Sequence, residues 1–304
     1  MASRQGLDGL AVMLLLGLCT VWALQQVLVK AVAADMAPVL QLSIRSGIST
    51  AVIALILFFQ GKALFTAHTW KPGLLAGLLF ALEFLFIAEG LRFTTASHMV
   101  VFLYTTPIFT ALFLSWALPS ERLTMLQWLG VVLAFVGLVI AFMYGDESAD
   151  NAPDLLWGDF LAILAALSWA LTTVVIRMSR LSEAPSQQIL FYQVLVGFVL
   201  LMGVTFVSGQ TQIQWSTPLV LNLIFQTIVV GLISFTIWLW MLRRYVASQL
   251  SVFTFLTPVL GVLLGAALLN EPLENSFLVG ALLVVAGMLL VHGHRQLGRW
   301  FMRT

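Results

Sequence analysis

Cutting the chain at its polar and Gly/Pro clusters leaves ten apolar segments, near 10–33, 37–60, 72–93, 95–117, 123–144, 157–179, 186–208, 217–241, 246–269 and 275–293. Each is close to the roughly 20 residues that carry a helix across about 30 Å of hydrocarbon at 1.5 Å per residue. A transmembrane barrel would instead show alternating segments of roughly ten residues, and the sequence has no such pattern. The segments therefore predict an all-α polytopic membrane protein with ten transmembrane helices.

Composition agrees with that reading. Of 304 residues, 61% are hydrophobic and 9% charged, against roughly 25% charged in soluble domains. A mean hydropathy of +1.04 spreads the apolar character over the whole length, with no room for a soluble domain. A net charge of +1 without any Lys/Arg run argues against nucleic acid as a partner. Cys19 stands alone, so neither an intrachain disulfide nor a cysteine-built metal site can form. Arg4 followed by an apolar stretch and Ala31-Val32-Ala33 imitates a secretory signal. The stretch exceeds the usual 7–15-residue apolar core of a signal, and it reads as an uncleaved first helix.

Enzyme chemistry finds no foothold. The sequence lacks a Gly-rich phosphate loop, a zinc signature and a GxSxG elbow. His68, His98, His292 and His294 lie mostly at segment edges, with His292 and His294 read as part of a solvated tail. No metal, cofactor or catalytic residue is expected.

Orientation follows from the basic residues. With the N-terminus in the cytoplasm, cytoplasmic segments hold Arg4, Lys62, Lys71, Arg122, Arg177, Arg180, Arg243, Arg244, Arg295, Arg299 and Arg303, leaving Lys30, Arg45 and Arg92 elsewhere. The positive-inside rule thus predicts both termini in the cytoplasm. The connection 146–156 carries Asp146, Glu147, Asp150 and Asp154 without a basic residue, as suits an external loop. The expected organisation is a first unit over 1–145, this acidic loop, and a second unit over 157–304 ending in a short basic tail.

The two units are copies. Leu91 to Pro107, LRFTTASHMVVFLYTTP, aligns with Leu242 to Pro258, LRRYVASQLSVFTFLTP, at an offset of 151. Glu121, Gly130 and Gly137 meet Glu271, Gly280 and Gly287 at an offset of 150, and Trp22, Lys30 and Ala37-Pro38 meet Trp169, Arg177 and Ala184-Pro185 at 147. Five spans per copy is an odd number, so the second copy enters the membrane from the opposite side. The result is an inverted repeat, a device of secondary transporters with a central site and alternating access.

A Trp in the first helix, Pro opening the second, Ala-Ser and then Thr-Pro in the fourth, and Glu before the fifth, all given twice, resemble the drug/metabolite transporter superfamily, in particular EamA-type exporters. The resemblance covers about 10–143 and 157–293. It implies a central cavity built from helices one to four and six to nine, and export of small metabolites such as amino acids. Helices five and ten would be scaffold or a homodimer contact.

The second half of helix three is where the sequence departs from an oily run: LLFALEFLFIAEGLRF, Leu78 to Phe93, holds Glu83 and Glu89. By helix rise, Glu83 lies about 15 Å deep. A charge there costs about 2.5–3.5 kcal/mol on insertion scales, so it should face the bundle or a wet cavity. Arg45, about 12 Å from the same side, can meet it, either to bind a substrate carboxylate or to hold Glu83. Glu89, about 6 Å deep, is placed to tune His98, a residue able to titrate near neutral pH. These three, Glu83, Glu89 and His98, are the candidates for proton coupling. The second copy has Tyr192, Ser234 and Trp240 where the first has Arg45, Glu83 and Glu89, so the charged machinery belongs to one half.

Trp22 and Trp169 share helical faces with Gln25/Gln26 and Thr172/Thr173. Together with Gln25, Tyr192, Arg45 and Glu83 they are the expected substrate wall, the alternative for each Trp being core packing. Pro107 and Pro258 fall mid-helix and remove a backbone hydrogen bond, which makes them candidate gating hinges or fixed kinks. Gly130, Ala134, Gly137, Gly280, Ala281 and Gly287 allow close helix approach. Lys30 and Arg177 read as snorkelling anchors, and Glu121 and Glu271 as partners of helix N-termini. The sequence reading is a secondary transporter exporting a small organic metabolite across a bacterial-type inner membrane. The alternative is an intramembrane enzyme or a non-transporting scaffold subunit.

Overall fold

The computed structural model describes residues 5–143, 153–269 and 275–301. Most of the acidic connection, residues 146–152, and Glu271 lie outside them. Ten helical spans long and apolar enough to cross a membrane occur among the described residues. The first half contains α1 (Gly9–Ala31), α2 (Pro38–Phe59), α3 (Trp70–Gly90), α4 (Ala96–Leu103), α5 (Thr106–Ala117) and α6 (Met125–Met143). The second contains α7 (Leu155–Met178), α8 (Ser186–Val207), α9 (Thr217–Phe225), a π-helical stretch Gln226–Ser234, α10 (Phe235–Arg244), α11 (Ala247–Phe253), α12 (Leu256–Leu269) and α13 (Asn275–Phe301).

In each half the fourth span is broken. In α4/α5, Tyr104 and Thr105 interrupt the helix just before Pro107, and in α11/α12 Thr254 and Phe255 do so before Pro258. Proline has no N–H to offer the preceding turn and crowds the carbonyl four residues back. Thr105, Thr106 and Thr254 hydroxyls donate instead to the carbonyls of Phe102, Leu103 and Ser251. The second span of each half ends on a left-handed glycine, Gly61 (φ 64°) and Gly209 (φ 69°). Behind them the N–H groups of Lys62 and Gln210 reach back to Leu57 and Thr205, the glycine-ended cap that lets a helix stop without a Cβ clash.

Packing between the halves obeys a pseudo-two-fold axis. Same-rank spans meet each other: α6 with α13, α2 with α8, and α5 with α11. The α6–α13 crossing is backbone to backbone. A Cβ on Gly130 or Gly137 would fall 2.6 Å from the carbonyl oxygen of Gly287 or Gly280, and Gly280 and Gly287 face the reciprocal carbonyls. These glycines, read from sequence as packing residues, are consumed within one chain, so the small-residue faces of spans five and ten are not free for a second copy.

Loops join faces as the inverted topology requires. Gln5 pairs with Tyr245 at the face that carries the N-terminus, and Met36 with Ile213 at the opposite face. The chain is a multi-pass integral membrane protein made of two inverted five-helix repeats.

Candidate functional site

Between the halves lies a partly open cavity with walls from α1, α3, the α4/α5 break, α7, α8 and α10. Seven of its lining residues are aromatic: Trp22, Phe80, Phe84, Tyr104, Trp169, Phe235 and Trp238. Gln25, Gln26, Thr172, Thr173 and Gln193 supply neutral polar groups, and Glu83 is the one charged side chain among the described lining residues. Trp22 is fixed from both sides. Its Nε1 donates to the Ser234 hydroxyl at 3.1 Å, and its ring meets Trp238 edge-on at 5.4 Å. Ser234 ends the π-helical stretch, and such a bulge re-aims side chains along a helix. Trp169 stands edge-on to Tyr104 at 6.1 Å.

Arg45 is near this cavity but not on its wall. It is 1% exposed, with its guanidinium over the rings of Phe84 (5.3 Å) and Phe235 (5.5 Å), and those two rings line the cavity in its place. Its Nη1 donates to Gln226 Oε1 at 3.4 Å. Gln226 continues a buried amide chain: its Nε2 reaches Asn222, Asn222 donates to Gln41, and Gln41 to the Met36 carbonyl. Arg45 and Glu83 feel each other's charge, yet no direct ion pair joins them.

Both ends of the bundle are tied by a carboxylate crossing between the halves. At the opposite face, Asp159 of α7 accepts from the Thr94 hydroxyl at 2.6 Å and meets His98 Nδ1 at 2.9 Å, and all three are buried. At the N-terminal face, Asp8 accepts from the Tyr245 hydroxyl at 3.0 Å, and the N–H of Leu7 reaches Gln249 Oε1 at 3.4 Å. The Ala11 N–H, with help from Tyr245 and Arg244, holds the Asp8 carboxyl below its ordinary range. Asp8, Thr94 and His98 have Asp159, Tyr245 and Gln249 151 residues further along. The two ties are alike in build, one at each face.

The EamA-like transporter family matches residues 9–143 and again 156–293. The chain belongs to the EamA-like transporter family. Its relatives include an uncharacterized transporter, YoaV, of Bacillus subtilis (26% identical, covering 89% of this chain and 92% of that one). The aromatic amino acid exporter YddG of Escherichia coli is 29% identical over 72% of this chain and 76% of its own length. A solved crystal structure superposes with a TM-score of 0.77 at 19% identity, covering 92% of this chain and 97% of the other, a likeness of fold. The family and these relatives are transporters, not enzymes.

Within this EamA-like chain the expected site residues separate. Trp22, Gln25, Glu83 and Trp169 come together on the cavity wall. Tyr192 does not: it is fully buried, its hydroxyl bonded to Thr69 at 2.9 Å and its ring filling the space a Cβ on Gly73 would need. It locks α8 to the start of α3. Glu89 does not reach His98. It pairs with Arg92 at 2.9 Å on a solvent- or headgroup-exposed edge, because one helical turn puts residues i and i+3 side by side. His98 takes Asp159 instead. Pro107 and Pro258 are buried at the breaks of their spans.

Arg177 is no snorkelling anchor. It is 2% exposed and forms an ion pair with the fully buried Glu121, while Ser248 donates its N–H to the same carboxylate and Arg177 Nη1 also donates to the Leu242 carbonyl. Glu121 therefore serves as the counter-charge of the other repeat and caps the first turn of α11 rather than that of α6. Asp159 was missed because it lies inside an apolar segment with no charged neighbour in sequence.

Proposed function

We propose that this chain is a secondary transporter that exports a small organic metabolite, an amino acid or a related amphipathic compound, by alternating access. One observation carries the reading: a cavity at the junction of two inverted repeats, aromatic on most sides, holding a single carboxylate. A relative bearing the name aromatic amino acid exporter, and a probable amino-acid metabolite efflux pump of Salmonella typhimurium at 25% identity, support export and a ligand of this size. Trp22, Trp169 and the neighbouring amides hold the body of the substrate. Glu83 holds its amine or carries a coupling proton, with Arg45 acting from behind Phe84 and Phe235.

Alternation needs each end to open in turn. The broken fourth spans at Pro107 and Pro258 supply the bending points, and the Asp159 and Asp8 ties are what must separate. The distribution of Lys and Arg supports a cytoplasmic location for both termini, and the bacterial relatives support an inner membrane. The decisive experiment is counterflow of labelled amino acids and amines in proteoliposomes. Saturable exchange that collapses in Glu83→Gln is expected, while unchanged exchange and unchanged pH dependence in that variant would remove Glu83 from the mechanism.

A further inference from the structure

The export reading leaves the charge of the cargo open, and the cavity's own electrostatics narrow it. A ligand entering the cavity meets the rings of Trp22, Phe80, Trp169 and Trp238, neutral amides and hydroxyls, and one carboxylate. Arg45, the cation nearest Glu83 among the described residues, is covered by the two rings it stacks against and is held at Nη1 by Gln226. An aromatic face is negative at its centre and attracts a cation laid on it. An ionised carboxylate on a ligand would find no exposed cationic partner among the described lining residues, and it would approach Glu83 as a like charge, which disfavours the charged form of both. A desolvated charge without a partner is costly, whereas a partnered one is not.

Resting on the export reading, we propose that the site selects an organic ammonium ion with an aromatic or broad apolar body and no free carboxylate. Glu83 is its counter-charge, and the aromatic walls hold its body. An aromatic amine fits better than its amino-acid analogue, and the carboxylic acid fits worst.

The test is equilibrium binding to the purified full chain in lipid nanodiscs, read by fluorescence of the wall tryptophans, with phenethylamine, phenylalanine and 3-phenylpropionate as probes. Phenethylamine is expected to bind at least about tenfold tighter than phenylalanine, a gap of about 1.4 kcal/mol, and 3-phenylpropionate weakest of all. Glu83→Gln should erase the advantage of the amine. Glu83→Asp, which keeps the charge, should retain it and guards against a Gln variant that fails to fold. Phenylalanine or 3-phenylpropionate binding as tightly as phenethylamine would overturn the proposal, most directly if that binding is lost in Arg45→Gln. So would an amine preference that survives Glu83→Gln, or no binding of any probe at millimolar concentration. Flux is not read here, so an amine-selective site without counterflow would sink the export reading and leave this one standing.

Discussion

At the scale of single residues the most consequential contact is the buried ion pair of Glu121 and Arg177, which joins the end of α5 to the end of α7. Two charges taken out of water contribute little net stability as a pair, but removing one strands the other. Glu121→Gln or Arg177→Met should therefore each lower stability by about 3–5 kcal/mol, and the double variant should lose less than the two singles together. Melting of the purified protein in detergent measures this; additive losses would show that the pair is not coupled. Gly73 belongs to the same scale. Any side chain there meets the Tyr192 ring, so Gly73→Ala should displace Tyr192 from Thr69 and lower the melting temperature, whereas Gly17→Ala, with open space around it, should not.

Among the elements, the fourth span of each half is broken just before its proline, with threonine hydroxyls donating to carbonyls of the preceding turn. Pro107→Ala restores the N–H and favours a continuous helix. Equilibrium binding should stay near wild type while counterflow slows by about tenfold, equivalent to about 1.4 kcal/mol on the barrier. Unchanged counterflow would make the break a fixed shape feature. Spans, breaks and the glycine-lined crossing were legible in the sequence because lipid thickness, the missing proline N–H and the missing glycine Cβ act locally and leave local marks. Arg45 over Phe84 and Phe235, Tyr192 on Thr69 and Asp159 with His98 were not. Each joins residues dozens of positions apart, and its sequence neighbours are as apolar as those of any lipid-facing helix. Depth along a helix can be counted from sequence, but which face turns inward depends on the π-helical bulge and the crossing angles.

Over the whole molecule, each face carries a polar tie between the repeats: Asp159 with Thr94 and His98 at one, and Asp8 with Tyr245 beside Leu7 with Gln249 at the other. The charged acceptor in each tie crosses from one repeat to the other, so separating the repeats at one face breaks one tie and spares the other. The Asp8 carboxyl sits below its ordinary range in the folded chain. Its contribution is therefore fully present above the usual carboxylate range and is lost only as pH falls into acid, so the N-terminal tie holds at neutral pH. Removing one acceptor at a time should bias the molecule in opposite directions. In a Cys19→Ala background, Asp159→Asn should raise labelling of Gln26→Cys, a cavity position in the outer part of α1, by a membrane-impermeant maleimide applied at the opposite face. Asp8→Asn should raise labelling of Leu242→Cys, near the end of α10, from the N-terminal face. If both substitutions open the same face, or neither changes labelling in protein that still melts as a folded species, the ties are static braces. The two halves would then have to separate elsewhere.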